Sequence, residues 1–144
     1  MIKILVVDDN DQVRQLLVLA LETAGFDVIE AGTQLEAQRY LAHTRPDALV
    51  LDLQRSAADG LDLLTRMRAR QDLRRVPIVF LAGCESDDFR WQAIRAGADW
   101  FAVRPLGMLE LQKRVGQLIR CGRPRLKAIA GHNRVPLHRL RRTG

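Results

Sequence analysis

The sequence predicts an α/β domain: a doubly wound, five-stranded parallel sheet with helices on both faces. Three observations lead there. Strand-like and helix-like segments alternate five times along the 144 residues. Three of the strand-like runs have an unbroken apolar stretch, Ile4-Leu5-Val6-Val7, Ala48-Leu49-Val50-Leu51 and Ile78-Val79-Phe80-Leu81, and unbroken runs suit strands buried on both faces. The segments between them repeat apolar residues at helical spacing, which is what crossovers between parallel strands require.

Residues 3–7 read as the first strand. A helix follows over roughly 11–24, with Val13, Leu16, Leu17, Ala20, Leu21 and Ala24 as its apolar stripe and Gly25 just past its end. The second strand is 27–31. Thr33 is placed to cap a helix reaching about 43, and Glu36 completes a capping box. Pro46 breaks the chain before the third strand, 48–51. Asp59 is placed to cap a third helix, 60–70, with Leu61, Leu64 and Met67 inward. Arg66, Arg68, Arg70, Arg74 and Arg75 on and after it read as a solvated face. Ile78-Val79-Phe80-Leu81 is the fourth strand. Ser86 is placed to cap a helix over 86–96 that Gly97 ends. The fifth strand is 99–103, Pro105 closes it, and a last helix over 107–120 buries Leu111, Val115 and Leu118, with Met108 at the head of that stripe.

Composition narrows the function classes. The length fits one domain with an adequate core. No apolar run nears the ~20 residues that span a bilayer. Met1-Ile2-Lys3 enters a strand directly, without signal-peptide design. Two cysteines, Cys84 and Cys121, suit a reduced, cytoplasmic protein, and no Cys/His spacing suggests zinc. The net charge of +6 is uneven: residues 120–144 hold eight basic residues and no acidic ones, which leaves 15 basic and 17 acidic for the rest. The expected organisation is therefore one near-neutral domain over residues 1–120 and a basic extension over 121–144 that forms no separate domain.

The chemistry gathers at two strand ends. Asp8 and Asp9 follow the first strand and Asp52 ends the third. Ligand sites in open α/β sheets lie beyond the carboxyl ends of strands. Clustered carboxylates repel one another and are stable together only with a cation or a shared proton. Oxygen-only ligands suit Mg2+, and a carboxylate beside it can attack phosphorus.

These residues resemble the receiver domain of two-component response regulators. The resemblance covers about residues 1–120. It rests on Ile4-Leu5-Val6-Val7-Asp8-Asp9, Leu51-Asp52-Leu53 with Asp59-Gly60 behind it, Pro77-Ile78-Val79 with Leu81, and Ala96-Gly97-Ala98-Asp99 ahead of Arg104-Pro105. It implies a flavodoxin-like sheet of order 2-1-3-4-5. It also implies that Asp52 accepts a phosphoryl group from a histidine kinase or phosphotransfer protein. Asp9 would bind Mg2+ directly, Asp8 mainly through water, and Asp52 and the Gln54 main-chain carbonyl would complete the ligands. The domain would be no enzyme beyond its own phosphorylation and dephosphorylation.

The pattern departs from the family at informative positions. Ala82 stands where a Thr or Ser hydroxyl usually meets the phosphoryl group, with Gly83 next and Cys84 and Ser86 as poorly placed substitutes. Arg104 replaces the usual Lys, and can contact the phosphoryl group or pair with Asp52 at rest. The Arg104-Pro105 bond resembles one that is cis in the family. Arg55-Ser56 replace Met-Pro after Asp52, and Phe101 is the switch aromatic, without a hydroxyl.

Trp91 and Trp100 have two readings: part of the helix 4–strand 5–helix 5 surface that many receivers use for dimerisation or docking, or groups packed into the core or under the extension. The basic extension suits nucleic acid or a membrane surface by charge alone, but its lack of aromatics favours packing, linker or partner docking. His132 and His138 there read as surface groups. Two functions follow: a phosphorylatable signalling receiver, favoured by Asp8, Asp9 and Asp52, or a phosphorylation-independent interaction module on the same fold, favoured by Ala82 and Arg104.

Overall fold

A computed structural model describes residues 1–54, 57–83 and 87–123. Strands and helices alternate as β1 (Lys3–Asp8), α1 (Asp11–Thr23), β2 (Asp27–Ala31), α2 (Gln34–Leu41), β3 (Ala48–Asp52), α3 (Ala57–Ala69), β4 (Ile78–Ala82), α4 (Asp87–Ala96), β5 (Trp100–Val103) and α5 (Met108–Cys121). All pairings are parallel, in the order β2-β1-β3-β4-β5. That is the doubly wound order expected, with β1 and β3 side by side at its centre.

The unbroken apolar strands divide their side chains between two cores. Leu5, Val7, Leu49, Leu51, Ile78 and Phe80 face α2, α3 and α4, whose Leu41, Leu64, Met67 and Ala93 cover them. Ile4, Val6, Val50, Val79 and Leu81 face α1 and α5, through Leu17, Leu21, Leu111 and Val115. Burial on both faces removes the polar alternation an open sheet would show.

The helix ends follow local chemistry. Asn10 caps α1 by accepting from the Val13 N–H at 3.0 Å. Thr33 caps α2 by accepting from the Glu36 N–H at 3.1 Å, while Glu36 reaches back to the Gly32 N–H at 2.8 Å, one residue earlier than a standard capping box. Gly25 and Gly97 leave α1 and α4 at φ +94° and +116°, which only glycine adopts without strain.

Four expectations need correction. Asp59 does not cap α3, because the helix begins at Ala57 and Asp59 lies in its first turn, where its charge still suits the helix dipole. The α2 helix stops at Leu41 rather than about 43. Leu16, Ala24 and Met108 are exposed: the seam of α1 that meets the sheet is the narrower Leu17-Ala20-Leu21 face, and Met108 opens α5 outside its packed turn. Arg68 is not solvated. Its side chain is 11% exposed and donates to the Gly97 carbonyl at 2.9 and 3.0 Å, to the Val76 carbonyl at 2.7 Å and to Asp99 Oδ2 at 2.9 Å. The Asp99 side chain is fully buried, accepts from the Ile78 N–H at 2.8 Å, and also pairs with Arg123 at 2.7 Å. This cluster ties α3, the start of β4, the entry to β5 and the chain after α5 at the amino-terminal rim of the sheet. Arg55, Ser56, Cys84, Ser86 and the extension from residue 124, with His132 and His138, lie outside the described residues.

Candidate functional site

The opposite, carboxyl-terminal rim holds the acids. Parallel pairing sets Asp8 of β1 level with Asp52 of β3, so the sheet register itself opposes two carboxyl groups. Both are fully buried. The Asn10 N–H donates to Asp8 Oδ1 at 2.8 Å, and the Gln54 N–H donates to Asp9 Oδ1 at 3.0 Å. Arg104, just past β5, donates through Nη1 to Asp52 Oδ1. The other oxygens, Asp8 Oδ2 and Asp52 Oδ2, are buried and have no hydrogen-bond partner among the described residues.

The electrostatics follow from that geometry. Burial pushes Asp52 up from the ordinary 3.8 to about 7, repulsion by Asp8 adds to it, and the Arg104 guanidinium only partly offsets them. Asp8 is also raised, first by burial, although its bond from the Asn10 N–H opposes the shift. Two facing carboxyl groups with an orphaned oxygen each are satisfied by one shared proton or by a cation between them.

That donor set fits a hard divalent ion, which takes oxygen ligands and tolerates water in its remaining positions. Among the described residues, no three acidic, histidine or cysteine side chains stand close enough to hold an ion together. Asp8 and Asp52 already meet, while Asp9 is engaged by the Gln54 N–H and has to re-aim to join them.

The other predicted residues surround this pair. Ala82 ends β4 level with Val103, and its carbonyl accepts from the Arg104 N–H at 2.8 Å. The Arg104-Pro105 peptide is cis. Phe101 is 6% exposed and stacks on Phe80, with ring centroids 6.0 Å apart and planes within 10°. Phe89 meets both rings edge-on, and the Arg90 guanidinium lies 5.0 Å from the centre of the Phe101 ring. Beside Ala82 and Gly83 a cavity of about 250 Å3 opens, lined by Leu53, Phe80, Phe89 and Arg104 among others.

Two contributors escaped the sequence reading. Arg14 bonds the Asp8 carbonyl at 2.8 Å and is itself held by Glu30 at 3.0 Å and Asp11 at 2.8 Å, so it braces the acidic turn. A basic residue in the first turn of a helix, against the dipole, was the available signal. Gly83 lies directly against the Arg104 guanidinium. Nothing in its own sequence neighbourhood announces that, because the partner is distant in the chain.

Comparison with known proteins decides the family. The model of the response regulator receiver domain matches residues 4–116. The chain belongs to that family. Among curated relatives, this receiver is 39% identical over 118 residues to the transcriptional regulatory protein PrrA of Mycobacterium leprae, covering 82% of this chain and 50% of that one. It is 37% identical over 123 residues to the response regulator MprA of Mycobacterium bovis, covering 85% and 53%. The receiver thus spans about half the length of these relatives. Among solved structures, it resembles the signal receiver domain of a signal transduction histidine kinase from Syntrophus aciditrophicus, with a TM-score of 0.77 and 27% identity over 84% of this chain and 92% of that one. The receiver domain of Francisella response regulator 1452 matches with a TM-score of 0.76 and 26% identity, over 84% and 98%. The fold and the response-regulator character of this receiver, consistent with two-component signalling, are thereby established. No helix among the described residues is long and apolar enough to cross a membrane.

Proposed function

We propose that this receiver accepts a phosphoryl group on Asp52 from a histidine kinase or phosphotransfer protein, in the cytoplasm, and signals through protein contacts. One observation carries the reading: Asp8 and Asp52 face each other in register, buried, each with an unsatisfied oxygen. Asp8, Asp9, Asp52 and the Gln54 carbonyl would hold Mg2+. When bound, that ion would neutralise the acids and the transferring phosphoryl oxygens. The carboxylate oxygen of Asp52 forms the new bond to phosphorus as the donor's bond to phosphorus breaks, and the leaving group departs with the bonding electrons. The protein's share is to hold that oxygen buried and aimed at the rim. Arg104, which pairs with Asp52 at rest, would meet the phosphoryl oxygens with its permanent charge.

Intact-mass measurement after treatment with acetyl phosphate and Mg2+ tests this. A single phosphate adduct, absent from Asp52→Asn, is expected; no adduct, or an equal one in the variant, rejects the reading. The second reading, an interaction module independent of phosphorylation, is favoured by the Arg104–Asp52 pair, which already satisfies one oxygen of the acceptor. In either reading the α4–β5–α5 surface is the proposed contact or homodimer face. There, Arg114 stacks 4.8 Å over the Trp100 ring, and both tryptophans are half-buried. The basic extension serves packing or partner docking in preference to nucleic acid.

A further inference from the structure

At the acidic rim the guanidinium of Arg104 is wedged between two neighbours. Its Nη1 bonds Asp52. Its Nη2 lies where a side chain on residue 83 would begin: a Cβ built on Gly83 would sit 2.5 Å from Nη2 and 3.6 Å from Cζ. Real atoms do not approach that closely, so a side chain at 83 would push the flexible guanidinium tip out of this position. The backbone of Arg104 is fixed separately, by its N–H bond to the Ala82 carbonyl at 2.8 Å. Only the flexible end of the side chain depends on the missing Cβ. The cavity of about 250 Å3 next to it, lined by Leu53, Gln54, Phe80, Ala82, Gly83 and Phe89, gives the guanidinium somewhere else to go.

We propose that Gly83 is the seat of an internal cation: it lets Arg104 dock on Asp52 as a resting-state plug that opposes the loading of a divalent ion. This rests on the acidic rim being the ion-loading site, and it adds a regulation of that site. A cation already bonded to Asp52 Oδ1 competes through charge with a second one at the facing Oδ2 atoms of Asp52 and Asp8. Loading is then coupled to a swing of Arg104 away from the rim. When the binding-competent state is populated only fractionally, apparent affinity falls by that fraction. A plug seated nine-tenths of the time weakens Mg2+ binding about tenfold.

Gly83→Ala adds a methyl group and no charge, which separates unseating from simple charge removal. Mg2+ affinity is measured by isothermal titration on wild type, Gly83→Ala, Arg104→Gln and the double variant, with circular dichroism to verify each fold. Gly83→Ala is expected to tighten Mg2+ binding by about fivefold to tenfold. In the Arg104→Gln background the same methyl group is expected to change the affinity less than twofold, because the plug is already gone. An unchanged or weakened affinity in Gly83→Ala, or an equal gain in both backgrounds, overturns the proposal. Gly83→Ser supplies a second test if Gly83→Ala does not fold, with the same two outcomes. The titration needs no phosphodonor, so absence of an adduct on Asp52 would remove the phosphoacceptor reading and leave this result standing. Loss of all Mg2+ binding in every variant would remove both.

Discussion

Asp52 carries opposing demands in one side chain. Burial and the facing Asp8 favour its protonated form, Arg104 favours its charge, and the first two prevail. The consequence for stability has a definite sign. An acid whose folded value is raised costs the fold nothing below the unfolded value, near 4. The cost grows as pH rises and is complete above the folded value of about 7. Stability attributable to this group therefore falls between pH 4 and pH 7. Asp52→Asn removes the titration and keeps the shape. Thermal unfolding in metal-free buffer is expected to give the variant the higher Tm at pH 7.5, by about 3 °C or more, and a smaller difference at pH 4.5. An equal difference at both values would contradict that assignment.

Among the elements, the entry to β5 depends on one buried charge. Asp99 is enclosed by the Ile78 N–H, Arg68 and Arg123, and Arg68 is itself buried enough that desolvation lowers it to about 10 in spite of Asp99. Removing one partner of a buried pair strands the other. Arg68→Ala is expected to lose about 3 kcal/mol in urea unfolding with an unchanged m-value, whereas Arg66→Ala on the exposed side of the same helix changes stability by less than about 0.5 kcal/mol. The contrast shows where sequence reading stops. Strand runs, the Thr33 cap and the Gly25 and Gly97 exits were legible because each is a local matter of a few residues. Arg66 and Arg68 look alike in the sequence. Only tertiary packing, 29 residues away at Gly97, makes one a surface charge and the other part of the core. The α3 start misled for a related reason: an acid inside the first turn has the same composition signal as an acid capping it. At the site, Asp8, Asp9 and Asp52 were readable from their place after two buried strand runs, and Arg104 through the resemblance to receivers. The seat at Gly83 was not, since a missing side chain leaves no pattern.

For the molecule as a whole, the proposed loading of Asp52 would have to reach the α4–β5–α5 surface. Phe101 connects the two regions: it is packed on Phe80 and Phe89, capped by Arg90, and adjacent in the strand to Trp100. Ala82 offers no hydroxyl to a phosphoryl group. One hydrogen bond to a charged group is worth ~1.5–3 kcal/mol. Inverting a two-state population from 1:99 to 99:1 takes ~5.5 kcal/mol. Phosphorylation in this chain is therefore expected to shift the surface only in part. Ala82→Thr is expected to enlarge the phosphorylation-dependent change in tryptophan emission about twofold or more, with the adduct yield unaltered. If the variant responds no more strongly than wild type, the missing hydroxyl is not what limits transmission.

Arg123 gives the geometry a last consequence. It fastens the chain beneath the sheet, against Asp99, Arg74 and Gly97, at the ends of the strands remote from the acids. β5 runs four residues from there to Val103, so the two ends are separated by about 13 Å of extended backbone. The described chain therefore ends at the rim remote from the acids. The strands and α5 join the acidic rim to that point, where the buried Arg68–Asp99–Arg123 knot fastens them together.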